Sequence, residues 1–355
     1  MALLVAKLQS DLHVITGALS ELQPHALILY GGYGRDEGSW IETEAGDVAP
    51  YNDYDILAIV KRPVAVEELK KLGKELAAQI GIRWVDVGQK TTAQLARLKP
   101  SIYNYDLKYA SKVIWGDADV LNLIPEMDPA LLPLKEAETL FFTRLWTFLG
   151  SLEEGGFRQV LSGDASRFFR NQMAKAVLAV VDGWLLMKAA YHPSYRKRVR
   201  RFADLYPDKK ATLELAEWAL HEKLRPQAPK MSPDEVLDLY HLVYRLYFAD
   251  MLTILGRYYG RVAKGPEQII RAMCWSPYAL IYRLGMLLIR RTRAHERGLR
   301  LRAVQLYLAM AYREGEIDDR RLRKGICLLR RLDPAVSPDL TWHQARLRVA
   351  ELRVS

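Results

Sequence analysis

Runs of strand-forming residues occur only in the first third of the chain. Residues 26–30, 54–60, 82–87 and 112–115 are short, rich in Ile, Leu and Val, and apolar on both faces, as strands are when helices cover their sheet. Between them, 3–22 and 64–80 carry apolar residues at helical spacing and are closed by Pro24 and Gly81. After about residue 135 the strand pattern stops. Residues 137–152, 168–191, 211–223, 233–259 and 278–293 predict helices, and further Arg-rich helices start at Leu301 and Asp319. The breaks fall at Gly155-Gly156, Pro193, Pro207, the 226–233 loop and Gly265-Pro266. The expected class is α/β (α+β): a small mixed sheet with helices over 1–135, then an all-α bundle over 136–355. Further boundaries are expected near 225–235 or 260–268.

Charge divides along the same line. The 355 residues hold 52 Lys+Arg and 42 Asp+Glu, a net charge of +10. Residues 1–150 account for 15 basic and 20 acidic side chains, net −5, which leaves +15 for the rest. Such asymmetry suggests different roles for the two parts, although Arg-rich helices also simply solvate their outer faces. Two cysteines, Cys274 and Cys327, are too few for a disulfide framework or a four-thiolate zinc site, and the seven histidines show no paired ligand spacing. Lys7 and Asp11 interrupt the first apolar run, and no apolar stretch approaches the roughly 20 residues that a bilayer requires. The expectation is a cytoplasmic protein without a membrane partner.

The chemistry concentrates after the first strand, in Leu27-Ile-Leu-Tyr-Gly-Gly-Tyr-Gly-Arg-Asp-Glu-Gly38. A dinucleotide fingerprint fails, since its third glycine would fall at Glu37, and no Walker A or protein-kinase element occurs. What remains is a glycine pair that lets backbone N–H groups approach a phosphate, with Arg35 nearby. The next strand opens Asn52-Asp-Tyr-Asp-Ile56. Side chains alternate along a strand, so Asp53 and Asp55 share a face. A bare D-x-D at a loop end is more often a solvated pair than a metal site. Asp86, on the following strand, changes the balance: beside the pair it makes three carboxylates, enough for two divalent cations.

Together these residues resemble the nucleotidyltransferases of the DNA polymerase β superfamily: a strand, a Gly-Gly turn, D-x-D on the next strand, and a third acid later. Gly31-Gly-Tyr-Gly-Arg35 is similar to the turn of bacterial protein uridylyltransferases. Residues 105–108 and 113–117 look like later strands of such domains, and the likeness covers roughly 20–125. It implies an enzyme that moves a nucleoside monophosphate from an NTP to an acceptor hydroxyl and releases pyrophosphate. Asp53, Asp55 and Asp86 would be the catalytic and metal-binding residues, with Mg²⁺ or Mn²⁺ as cofactor. Gly31, Gly32, Tyr33, Arg35 and Asn52 would hold nucleotide. The family's compact version lacks the segment 39–49, which predicts a hairpin or flap bearing Glu42, Glu44 and Asp47. The other reading is an inactive nucleotide- or RNA-binding regulatory module of the same fold.

In the helical half, Lys175 and Asp182 lie two turns apart on one helix face, as a nucleotide-binding pair or as a pair satisfied inside the bundle. Arg290-Arg-Thr-Arg-Ala-His295 loosely fits the pattern of a helical ribonuclease family, and a solvated basic helix explains it better. Tyr258, Tyr259, Trp275 and Tyr278 fit a core better than a base-stacking surface. Because the basic residues are spread over many helices, a small molecule or a protein side chain is the expected acceptor rather than RNA.

Overall fold

A computed structural model describes the chain except residues 1, 44–45, 153–154, 156, 276–279, 281–283, 285–291, 314 and 355, and except the side chains of 2–3, 292–295 and 353–354. The expected helix at 278–293, the motif 290–295, Glu44, Gly156 and Tyr278 therefore lie wholly or partly outside the described residues.

The fold is α+β, a small mixed sheet with many helices. Its first elements are α1 (Ala2–Ser20), β1 (Ala26–Tyr30), α2 (Gly31–Gly34), β2 (Trp40–Glu42), β3 (Val48–Pro50), β4 (Asp53–Ile59) and α3 (Val66–Ile80). There follow β5 (Trp84–Lys90), α4 (Thr92–Leu95), α5 (Ile102–Tyr109) and β6 (Lys112–Gly116). The main sheet runs β5-β4-β1-β6, with β1 antiparallel to β4 and β6, and β4 parallel to β5. One face presents Leu27, Leu29, Tyr54, Ile56, Ala58 and Val85 to Ile15 and Leu19 of α1 and to Leu76 and Ile80 of α3. Ile28, Leu57 and Ile59 point the other way and are buried too, which is why these strands read as apolar on both faces. Gly81 closes α3 in the left-handed conformation at φ 75°.

The segment 39–49 does form a hairpin, β2 against β3. The expected strand at 105–108 is instead part of α5. Ser101 caps that helix by accepting from the Asn104 amide at 3.1 Å, a local signal that outweighs the likeness to a strand.

Later helices include α6 (Lys135–Gly150), α7 (Gly163–Met187), α8 (Tyr195–Leu205), α9 (Lys210–Leu224), α10 (Pro233–Tyr258) and α11 (Pro266–Trp275). Helices Thr292–Ala311, Asp319–Arg330 and Trp342–Val354 follow. Strand is nearly absent here: Tyr312–Arg313 pairs with Glu316–Ile317, and Leu161 bridges Met231. Among the described residues no helix is long and apolar enough to cross a membrane. Cys274 and Cys327 are free thiols.

The chain divides into two compact units. The first change of unit, after Pro133, falls near the expected boundary at 135, but the chain then returns. The first unit is Met1–Pro133 with Lys188–Asp208 and Leu220–Gln227, and the second holds the remainder. The second unit is a helical bundle in which Phe148 of α6 meets Tyr240, Tyr244, Tyr247 and Phe248 of α10. Its buried charges are matched: Glu138 accepts from Arg302 and Tyr259, and Arg346 donates to the carbonyls of Leu149 and Leu152. Tyr259 is thus built into the bundle, while Trp275 is exposed.

Candidate metal and nucleotide site

Strand register assembles the acids. In the parallel pair, Asp53 lies opposite Trp84 and Asp55 opposite Asp86. Directly paired residues point to the same side of a sheet, so three carboxylates converge at one end of the face turned away from α1 and α3. Their ligand atoms all lie within 4.8 Å of one another. Asp86 is exposed, whereas Asp53 and Asp55 are half-buried. Burial and then the negative charges of Asp53 and Asp86 raise the Asp55 carboxyl to about 7, against the opposing pull of Lys223 and Arg35. Asp86 is also raised, first by burial and then by Asp53. Three hard oxygen donors that repel one another at this range are the donor set that Mg²⁺ or Mn²⁺ takes.

Antiparallel pairing puts Tyr30, the last residue of β1, opposite Asp55. Burial pushes its phenol above the usual range, with further contributions from Tyr103, Asp55 and Asp86. The Tyr103 ring meets it edge-on at 5.6 Å. The next residue, Gly31, adopts φ 65°, and a Cβ there would stand 1.9 Å from Asp55 Oδ2. Glycine is required twice over at this position, for conformation and for the carboxylate beside it.

The other residues of the turn do structural work. The Tyr33 hydroxyl is buried; it donates to the carbonyl of Ser39, with the Tyr51 carbonyl at 3.3 Å, and accepts from the Tyr51 amide at 2.9 Å. It therefore fastens the neck of the β2–β3 hairpin. Asn52 is buried with φ 82°, and its carbonyl accepts from the Trp84 amide at 3.1 Å. Asparagine tolerates that left-handed conformation, which turns the chain from the hairpin into β4. Arg35 donates to Gly31 O at 2.8 Å and Pro193 O at 2.9 Å, pairs with Asp106 at 3.2 Å, and faces the Tyr195 ring at 5.0 Å.

Three residues that sequence reasoning missed complete this side. Glu37 is buried and accepts from Ser194 Oγ at 2.8 Å and from the amides of Tyr195 and Arg196, which ties the turn to the start of α8. Arg198 is buried, stacks on Tyr195 at 4.0 Å, and donates to Pro193 O. Lys223 is only 7% exposed. Its ammonium donates to Ser39 Oγ at 3.2 Å and lies 6.0 Å from the Tyr195 ring. Ser39 Oγ in turn donates to Lys223 O at 2.6 Å. A buried ammonium answered by a hydroxyl rather than a carboxylate leaves positive potential directed at the acids. In the sequence, Lys223 is one of many basic residues and sits in the last turn of a helix, where lysine is commonplace.

Lys175 and Asp182 belong to the second unit. Both lie on α7, where Asp182 is buried and Lys175 half-buried.

The chain matches no family model, no curated protein sequence and no solved structure. What the site is for must therefore come from its own geometry.

Proposed function

We propose that the chain is a metal-dependent nucleotidyltransferase, which moves a nucleoside monophosphate from an NTP to an acceptor hydroxyl. The observation that carries this reading is the triad itself: Asp53, Asp55 and Asp86 within 4.8 Å on paired strands, with one carboxyl raised to about 7. Such a cluster is costly unless cations neutralise it. A divalent cation held there supplies neutralising charge to the triphosphate and to the departing pyrophosphate.

The chain's own groups divide the remaining work. Asp53 and Asp55 would hold the divalent cation, whose charge would help to orient the triphosphate. The backbone N–H groups of Gly31 and Gly32 meet phosphate oxygens, and Lys223 adds a fixed positive charge. Asp86, the most exposed acid, accepts the proton of the acceptor hydroxyl. That oxygen forms a bond to the α-phosphorus as the α–β phosphoanhydride breaks. Pyrophosphate leaves with the bonding electrons, and the proton passes from Asp86 to water.

Incubation with each labelled NTP and Mg²⁺ or Mn²⁺, with and without cell extract, should show metal-dependent release of pyrophosphate. Asp53→Asn and Asp55→Asn should fold normally and abolish it. Asp86→Asn should keep most NTP affinity and transfer far more slowly. Unchanged turnover in both of the first two variants would remove the metal assignment.

A further inference from the structure

Beside Asp86 the sheet opens into a cleft of about 750 Å³, a size usual for small-molecule sites. It is lined by the edge strand β5, by one face of α3 and, on the side of the sheet turned away from α3, by Tyr30, Asp55 and Asp86. Strand β5 and helix α3 meet closely, since a Cβ on Gly73 would lie 2.3 Å from Val85 O. That contact and the small side chains of Ala77 and Ala78 leave a floor free of bulk.

Charge in this cleft is separated. Asp55 and Asp86 supply acidic groups from one side of β5, while Lys70 and Lys74 supply ammonium groups from α3 on the other, with Arg83 just before the strand. Lys70 and Lys74 are spaced i,i+4 on α3, an arrangement that costs stability for like charges. Neighbouring Lys71 pairs with Glu75 at 3.8 Å, but among the described residues neither Lys70 nor Lys74 has a carboxylate within reach. Arg83 lies 4.6 Å over the ring of Trp84, whose indole is 43% exposed beside Asp86. Two uncompensated ammonium groups and a guanidinium facing one cleft form an anion site, with an aromatic surface next to it.

We infer that this cleft binds the acceptor, and that the acceptor is a small hydroxyl compound carrying an anionic group, with phosphate the best match. Its anionic end lies against Lys70, Lys74 and Arg83. Its hydroxyl points back to Asp86, because the cationic side chains hold the anionic end away from the acids. This inference rests on the transferase reading above for the meaning of Asp86, and its test is separable from that reading.

The probe is glycerol 3-phosphate, with glycerol as the neutral control, titrated into the full chain in metal-free buffer. The readout is the indole N–H NMR signal of Trp84, assigned by its loss in Trp84→Phe. Glycerol 3-phosphate should shift that signal saturably and glycerol should not. In the double variant Lys70→Gln, Lys74→Gln the affinity should fall roughly tenfold or more. In Asp53→Asn, Asp55→Asn it should hold or tighten, because negative charge has been removed. An equal response to glycerol, or unchanged affinity in the lysine variant, would overturn the proposal. So would a short single-stranded RNA that moves the same signal at far lower concentration and loses this ability in the lysine variant. Mg²⁺ affinity measured in parallel tests the triad alone: failure of the transferase reading appears as Mg²⁺ binding indifferent to Asp53 and Asp55, whatever the phosphate titration gives.

Discussion

Asp55 lies opposite Tyr30 on one neighbouring strand and Asp86 on the other, and its carboxyl is raised from 3.8 to about 7. A carboxyl with a raised pKa holds its proton more tightly in the folded chain than in the unfolded one. The stability it contributes is fully present below about pH 4 and is lost as the pH rises through about 7. Thermal melts of the metal-free protein should therefore fall between about pH 5 and about pH 8. Asp55→Asn should melt higher than wild type at the alkaline end and flatten the curve, and Mg²⁺ should raise wild type but not this variant. Parallel curves for the two proteins would mean that Asp55 carries no such cost. At this scale the three acids that the structure brings together stood out only in combination. A lone D-x-D or a lone glycine at a strand end has commoner readings, whereas a glycine pair, a D-x-D and a third acid on successive strands has fewer. Lys223, Glu37 and Arg198 were not legible. Each acts through partners remote in sequence, and nothing local to a lysine at the end of a helix or a glutamate in a turn announces burial.

At the neck of the β2–β3 hairpin the Tyr33 phenol reinforces the direct bond from the Tyr51 amide to Ser39 O at 2.9 Å. Tyr33→Phe keeps the ring that packs 4.7 Å from Tyr54 and removes the hydroxyl that joins Ser39 to Tyr51. The loss should cost about 1–3 kcal/mol, because buried backbone groups lose a partner. Hydrogen exchange should accelerate over 39–51 while β4 keeps its protection. Uniform acceleration across the sheet, or none, would contradict the hairpin's dependence on Tyr33. Elements were legible where their pattern was dense. Strands β1, β4, β5 and β6 and the long helices fall within a few residues of expectation. Helix α8 was missed because its buried apolar residues, Val199 and Phe202, are diluted by Arg196, Lys197, Arg198, Arg200 and Arg201. In α5 the likeness to a strand pointed one way and the Ser101 cap another, and the cap prevailed.

Across the whole molecule the charge follows the units rather than the halves of the sequence. The first unit holds 21 Lys+Arg and 21 Asp+Glu, because the returning segments bring Arg196, Arg198, Lys223 and other basic residues to the acidic strands. The entire surplus of +10 belongs to the second unit. Because those basic residues are spread over many helices, RNA should bind weakly, with no preference among sequences, and indifferently to changes at Lys70 and Lys74. Its affinity should fall with salt in proportion to the phosphates neutralised. A filter-binding series over ionic strength would check this, and tight binding to one sequence would contradict it. The double return of the chain also imposes an order in time. Asp53, Asp55 and Asp86 leave the ribosome on the order of ten seconds before Lys223, at ~5–20 residues per second. During that interval the three acids have Arg35 but not Lys223 to answer them, and protons or cations from the surrounding solution must quiet the rest of their repulsion. A growing chain of this kind holds its acids for some time before it holds the lysine that faces them.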